Sequence, residues 1–140
     1  MSTKIKVLAI DDDPAMTDLL ALLLKTNKLD VITANNGPDG ITLVKTASPD
    51  IVLLDMMMPD MDGREVCREI RKFSNVPIVV LSALNNPGVV ASALDEGADD
   101  YLIKPVPSSI LIAHINSLAR RSTTGVLPNT GSLRNSAIYS

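Results

Sequence analysis

The stretch "IVLLDMMMPDMDG", residues 51–63, decides how this chain folds. Four apolar residues lead directly into Asp55, and Pro59 and Gly63 then interrupt the chain. A short run of branched apolar side chains that ends at turn residues is typical of a strand buried on both faces. Asp55 is therefore either a turn residue at a strand end or a reactive carboxylate held at the edge of a sheet. The choice depends on what the other strands bring to that edge.

Four other segments share this short, apolar and β-branched character. The whole series is "IKVLAI" (5–10), "DVITA" (30–34), "DIVLLD" (50–55), "PIVVLS" (77–82) and "DYLIK" (100–104). Segments with helical spacing of apolar residues separate the five runs and follow the last one. This alternation predicts an α/β fold of the (βα)5 type, a doubly wound parallel sheet of five strands with right-handed crossovers.

Cap and turn residues mark the ends of the predicted helices. The first helix should run from Asp13-Pro14 to Asn27, and the second from Gly37-Pro38 to about Ala47. The later helices should begin at Asp62 or Gly63, at Asn86-Pro87 and at Pro107, with Gly97 closing the fourth. The inward-facing stripes are predicted to be Val66, Cys67 and Ile70 on the third helix, and Leu111, Ile115 and Leu118 on the fifth.

Length and composition indicate one folded domain and exclude several classes of protein. The chain has 140 residues and a formal net charge of −3, so we expect no binding to nucleic-acid phosphates by this domain. Cys67 is the only cysteine, which excludes an intrachain disulfide and suits a reducing cytoplasm. The longest purely apolar run, "LLALLL" (19–24), is too short to span a membrane. From Ser122 the chain is rich in Ser, Thr, Gly and Asn, which predicts a folded domain over 1–121 and a linker or flexible tail over 122–140.

Polar side chains follow four of the predicted strands at the point where each strand ends. These side chains are Asp11, Asp12 and Asp13 after the first strand, Asp55 after the third, Ser82 after the fourth and Lys104, followed by Pro105, after the fifth. Parallel strands end at one shared edge, where ligands bind in open α/β sheets. We therefore expect these groups to lie close together.

Such a set suits phosphoryl chemistry. Neighbouring carboxylates repel one another unless a cation lies between them, and Mg²⁺ prefers carboxylate oxygens, waters and phosphate oxygens. An Asp beside the metal can attack phosphorus and form an aspartyl phosphate. Lys104 would neutralise the phosphoryl oxygens, and Ser82 would donate a hydrogen bond to them.

Four motifs resemble one known family. "VLAIDDDP", "PDIVLLDMMMPDMDG", "PIVVLSA" and "GADDYLIKP" are similar to the receiver domain of two-component response regulators, over roughly residues 4–121. The resemblance implies a flavodoxin-like sheet of order 2-1-3-4-5. It implies a phosphohistidine donor, which is a sensor histidine kinase or a phosphotransfer protein. It also implies transcription as the output, through a DNA-binding domain that we do not expect within these 140 residues, so that the sequence is either a fragment or a receiver that acts alone.

The resemblance also implies residue roles. Asp55 would be the phosphoacceptor, Asp12 a direct Mg²⁺ ligand and Asp11 a ligand through water. Met57 would bind the metal through its backbone carbonyl, and Asp13 would cap the first helix outside the site. The remaining implied roles belong to Ser82 and Tyr101 as the switch, Lys104 as the phosphoryl partner and Pro105 in a cis peptide bond.

The sequence most resembles receivers that precede winged-helix DNA-binding domains. Those receivers often dimerise through the fourth helix, fifth strand and fifth helix, held by cross-subunit ion pairs. Four charged residues of this chain fit that scheme: Asp99, Asp100, Arg120 and Arg121. Four positions depart from it: Val106 in place of the usual Phe, and Ile110, His114 and Asn116 in place of charged residues. We therefore expect a more apolar homodimer face centred on Ile110 and His114.

Simpler interpretations remain for several features. Taken singly, "DDD" is a cap and a solvated turn, Asp55 a turn residue and Lys104 a surface lysine; their joint placement favours a site. The three methionines at 56–58 are expected to be two fillers and one exposed side chain, Cys67 to be inert, and His114 to lie on a helix surface. The leucines of the first helix are mostly core, with a partner surface as the second interpretation.

Two other functions are possible in principle. Small phosphatases with an Asp nucleophile use a similar set, but they usually carry a second Asp two residues later, where this chain has Met57. A receiver-like scaffold that is never phosphorylated is the other, although all the chemical positions are intact. A nucleotide site is excluded because no glycine-rich phosphate loop follows the first strand.

Overall fold

The computed structural model describes residues 4–124 and the side chains of residues 4–121. Five strands and five helices alternate over that part of the chain. The strands are β1 (Lys6–Ile10), β2 (Asp30–Ala34), β3 (Ile51–Asp55), β4 (Ile78–Ser82) and β5 (Asp100–Ile103). The helices are α1 (Pro14–Thr26), α2 (Gly37–Ala47), α3 (Gly63–Arg71), α4 (Pro87–Asp95) and α5 (Ser108–Thr124).

All strand pairs are parallel, and the sheet order is β2-β1-β3-β4-β5. The predicted α/β class and strand order are confirmed. The three central strands, β1, β3 and β4, are mostly apolar and buried because helices cover each face of the sheet. The edge strand β2 is more exposed, and only Ala34 of it is buried. Val52 and Leu54 of β3 pack in the core under α2, α3 and α4, whereas Ile51 and Leu53 point to the opposite core under α1 and α5.

Side-chain caps fix where four of the helices begin. Asp13, Asn36, Asp62 and Asn86 each accept a hydrogen bond from a backbone N–H two or three residues later. These bonds satisfy donors that the first helical turn leaves unpaired. The predicted starts of α1, α3 and α4 are confirmed, and Gly97 follows α4 with a φ of +118°.

The last helix extends past the predicted end of the folded domain. We placed that boundary at residue 121 because the composition changes there, but α5 continues to Thr124. Ser and Thr do not stop a helix, and the first strong helix breaker after residue 121 is Gly125. The rest of the predicted tail, residues 125–140, lies outside the described residues. Within the described part of the chain, no helix is long and apolar enough to cross a membrane.

Helix α2 approaches the end of β1 closely at Gly40. A Cβ atom on Gly40 would lie 2.4 Å from Cδ1 and 2.8 Å from Cγ1 of Ile10. Ile10 is the last residue of β1 and directly precedes Asp11, so this contact sets how α2 lies against the functional edge of the sheet.

We expect Gly40→Ala to lower the free energy of unfolding by about 1–3 kcal/mol, because the added methyl must displace a buried side chain. Chemical denaturation measures this change. Gly88→Ala is the matched control, because Gly88 is exposed and the nearest atom to a Cβ on it would be Asn86 Oδ1, at 3.2 Å. A Gly40→Ala variant as stable as the parent would show that the approach is not constrained.

Candidate functional site

Three carboxylates meet at the carboxyl edge of the sheet. One oxygen from each of Asp11, Asp12 and Asp55 lies within 4.8 Å of the other two. The cause is the pairing of β1 with β3, which sets Ile10 beside Leu54 and so places the next residues of both strands together. Asp13 turns away and caps α1 by accepting from the Ala15 N–H at 3.0 Å.

Burial and mutual repulsion destabilise the charged form of this cluster. Asp11 is only 5% exposed, and burial is the main reason that its pKa is raised. The pKa of Asp55 is raised by burial first and by the Asp11 carboxylate second. Lys104, whose Nζ lies 3.7 Å from Asp11 Oδ2, offsets part of this effect. Three carboxylates therefore share one ammonium group.

The residues fit a hard divalent cation. The donor atoms are all carboxylate oxygens, and Asp12 is exposed, so water can complete a coordination shell. This is the donor set that Mg²⁺ takes in proteins. A cation between Asp11, Asp12 and Asp55 would remove the repulsion that raises the pKa of Asp55.

Ser82 and Lys104 arrive from the neighbouring strands. Ser82 ends β4, is fully buried, and its Oγ accepts from the Leu84 N–H at 3.1 Å. That bond uses an oxygen lone pair and leaves the hydroxyl proton available to another acceptor. The Lys104 N–H donates to the Ser82 carbonyl at 2.9 Å, which joins the ends of β4 and β5. The Lys104-Pro105 peptide bond is cis.

Leu84 connects Ser82 with Tyr101. Its N–H donates to Ser82 Oγ, and its carbonyl accepts from the Tyr101 hydroxyl at 2.8 Å. Tyr101 lies on β5 and is 7% exposed, so its ring points into the protein. A change at Ser82 can therefore reach Tyr101 through a single loop residue.

The loop between β3 and α3, which follows Asp55, is tightly folded. Met56 and Met58 are buried and Met57 is 59% exposed, as the sequence predicted. The Met57 backbone N–H lowers the pKa of the Asp55 carboxyl, but this effect is smaller than the rise caused by burial. A Cβ on Gly63 would lie 2.9 Å from Met56 Cα, so glycine is required there by close approach of two backbone segments.

The acids expected in cross-subunit ion pairs are already engaged within the chain. Asp99 Oδ2 lies 3.0 Å from Arg71 Nη2. Asp100 is buried and its Oδ2 lies 2.6 Å from Nδ1 of His114. His114 lies on the surface of α5 as expected, with its side chain 35% exposed. Its pairing with Asp100 was not predicted, because helical spacing does not reveal which side chain of the neighbouring strand faces it. Cys67 is fully buried, and burial raises the pKa of its thiol to about 12, in keeping with the predicted inertness.

Asn35 is the residue at this edge that the sequence interpretation missed. It follows β2, and its Nδ2 donates to the Asp11 carbonyl at 2.9 Å and to Thr17 Oγ1 at 3.0 Å. The rule that parallel strands end at one edge applies to β2 as well. Extending it to β2 would have placed Asn35 beside Asp11.

The sequence matches the response regulator receiver domain family over residues 7–116. The chain belongs to that family. The receiver is 41% identical over 132 residues to a protein of Porphyridium aerugineum described as "Probable transcriptional regulator ycf27", covering 91% of this chain and 55% of that protein. It is 38% identical over 117 residues to the DNA-binding response regulator MtrA of Mycolicibacterium smegmatis, covering 84% and 51%. The chain thus spans about half the length of these curated relatives.

Solved receivers have the same fold. The receiver domain of Francisella response regulator 1452 superposes with a TM-score of 0.80 at 33% identity, covering 85% of this chain and 99% of that one. The BeF3-activated N-terminal receiver domain of Klebsiella pneumoniae RstA gives a TM-score of 0.78 at 33% identity, covering 82% and 98%. A CheY-like receiver from Methanospirillum hungatei shares the fold at 22% identity, with a TM-score of 0.83 and coverage of 88% and 99%.

We expect Asp55→Asn to stabilise the metal-free receiver at neutral pH, because burial and the neighbouring Asp11 carboxylate destabilise the charged form of Asp55. The pKa of Asp55 is raised from 3.8 in the folded chain. Stability therefore falls as pH rises above 3.8, where the unfolded state releases the proton first, and the loss remains once both states are ionised. Chemical denaturation in a chelator at several pH values measures this, and the gain should disappear below pH 3.8.

Asp60→Asn, in the same loop, is the control for that experiment, because Asp60 is exposed and its replacement should change stability little. An Asp55→Asn variant less stable than the parent at neutral pH would mean that the cluster is not repulsive.

Proposed function

We propose that this receiver accepts a phosphoryl group on Asp55 from the phosphohistidine of a sensor histidine kinase or phosphotransfer protein. The observation that carries the proposal is the position of Asp55. It ends β3 beside two other carboxylates, with Ser82 and Lys104 on the adjoining strands. A turn residue with a purely structural role does not require two carboxylates, a serine and a lysine around it.

In the proposed reaction an Asp55 oxygen attacks phosphorus, and the bond from phosphorus to the donor nitrogen breaks. The electron pair of that bond returns to the donor imidazole. Lys104 neutralises one phosphoryl oxygen, and the Ser82 hydroxyl donates a hydrogen bond to another. Mg²⁺, when bound, would neutralise negative charge on the phosphoryl oxygens and on the carboxylates. Its holders would be Asp12, Asp55, the Met57 carbonyl and, through water, Asp11.

The proposed switch follows the bonds of Leu84. When Ser82 turns its hydroxyl toward a phosphoryl oxygen, its bond with the Leu84 N–H changes. The Leu84 carbonyl also holds the Tyr101 hydroxyl, so the position of Tyr101 changes with it. Phosphorylation would thus shift the population toward a second arrangement of the face formed by α4, β5 and α5. The receiver would turn over no separate substrate, and a phosphatase is disfavoured because Met57 stands where such enzymes carry an acid.

Two apolar surfaces support two kinds of partner. Leu19 and Leu22 of α1 are exposed, Leu22 to 66%, and we assign this surface to the phosphodonor. Ile103 of β5 and Ile110 of α5 are each 46% exposed, and we assign that surface to a second copy of the receiver. DNA would be bound only by an output domain outside the receiver, in a cytoplasmic regulator of transcription of the winged-helix type.

Incubation with acetyl phosphate and Mg²⁺ should add one phosphoryl group to the parent and none to Asp55→Asn, because only Asp55 has the proposed nucleophilic position. Intact mass spectrometry measures the adduct. Asp60→Asn makes the same chemical change on an exposed carboxylate of the same loop and should remain labelled. Stoichiometric labelling of Asp55→Asn would refute the site, and a parent that is labelled by neither acetyl phosphate nor a phosphohistidine protein would favour a scaffold.

Ile110→Glu should weaken self-association of the phosphorylated receiver about tenfold or more, because it places a charge in an apolar contact. Sedimentation equilibrium measures the dissociation constant. Phe73→Glu is the control, because Phe73 is similarly exposed at 42% but follows α3 on another part of the surface. A phosphorylated parent that stays monomeric at high concentration would contradict the proposed dimer.

A further inference from the structure

We propose that Asn35 is a positioning residue for the metal-binding segment Asp11–Asp13. The inference rests on the Mg²⁺ site of the proposed function and adds a residue to it from β2, the one strand that contributes no acid. The side-chain amide of Asn35 would hold the backbone that presents Asp12, without touching the metal itself.

The geometry identifies which atom Asn35 controls. Its Nδ2 donates to the carbonyl oxygen of Asp11, at 2.9 Å. That oxygen belongs to the peptide group joining Asp11 to Asp12, so holding it fixes the direction in which the backbone enters Asp12. A carbonyl can only accept, which also establishes that the nitrogen of the Asn35 amide faces Asp11.

The second bond of Asn35 attaches this peptide to α1. Thr17 is buried in the first turns of α1, and its hydroxyl proton is donated to the Pro14 carbonyl at 3.1 Å. The Thr17 oxygen is therefore left to accept, and it accepts from Asn35 Nδ2 at 3.0 Å. One amide group thus joins the end of β2, the end of β1 and the start of α1.

Asp12 depends on this frame more than its neighbours do. Asp11 is held by its own N–H, which donates to the Ala34 carbonyl at 3.1 Å, and by its carboxylate, which accepts from the Asp13 N–H at 3.0 Å. Asp12 is exposed. Its carboxylate is therefore placed by the backbone on either side of it, and the carbonyl before it is the group that Asn35 holds. Residues that orient a metal ligand in this way typically change affinity by about 10–100-fold when removed.

Asn35→Ala should weaken Mg²⁺ binding by about 10-fold, at the low end of that range because Asn35 is itself exposed. The readout is the Mg²⁺-dependent shift of the Asp12 and Asp13 amide resonances in the ¹⁵N-labelled receiver, which requires no phosphorylation. Stability in chelator, from chemical denaturation, should fall modestly, because two part-buried hydrogen bonds are lost.

Asn36→Ala is the matched control. Asn36 is the adjacent residue with the same side chain, but it caps α2 by accepting from the Asp39 N–H at 2.8 Å, and its side-chain hydrogen bonds within the described residues are with Asp39. Losing that cap should lower stability and leave Mg²⁺ affinity unchanged. Thr17→Ser keeps the accepting oxygen and should also bind Mg²⁺ as the parent does.

Each result decides between the two proposals. Weaker Mg²⁺ binding in Asn35→Ala alone supports the positioning role. Equal affinity in Asn35→Ala, or equal weakening in Asn36→Ala, overturns that role and leaves the phosphoacceptor function intact. A parent receiver that binds no Mg²⁺ overturns both the positioning role and the metal-dependent part of the proposed function.

Discussion

The repulsion among Asp11, Asp12 and Asp55 is the interaction on which the rest of the site depends. The parallel register of β1 and β3 brings these carboxylates together, and the burial of Asp11 and Asp55 raises the pKa of both. A single ammonium, that of Lys104, lies beside them. The two apolar cores, one on each face of the sheet, supply the stability that this arrangement costs. Binding a cation relieves the repulsion, so the fold is prepared for a metal before any phosphoryl group arrives.

Few atoms connect the carboxyl edge of the sheet with the face formed by α4, β5 and α5. Ser82 ends a fully buried strand and cannot move far, so a new partner for its hydroxyl must be accommodated in the loop after β4. Leu84 lies in that loop and bonds to Ser82 through its N–H and to Tyr101 through its carbonyl. In the proposed switch, a rigid sheet with one adaptable loop would convert a local charge change into a choice between two arrangements, because packed strands do not deform continuously.

The sequence predicted what depends on periodicity and chain order. Buried apolar strands, capped helix starts and the acids at the strand ends follow from local pattern and from the geometry of parallel sheets. Features that depend on side-chain direction were missed. The pairing of Asp100 with His114 needs the relative rotation of β5 and α5, and the bonds of Asn35 need the placement of β2 beside β1. The sequence predicts that Gly63 interrupts the chain before α3, but the reason that glycine is needed there, the approach of the Met56 backbone, is visible only in three dimensions.

The distal face differs in physical character from one held by ion pairs. Asp99 and Asp100 each have a partner within the chain, Arg71 and His114 respectively. Ile103 of β5 and Ile110 of α5 remain exposed. Charges that already have intrachain partners add little to a new contact, since binding must exchange one partner for another. Apolar area is not screened by ions, whereas exposed charge pairs are. Association through this face would therefore depend weakly on salt, which distinguishes it from association through a network of cross-subunit ion pairs.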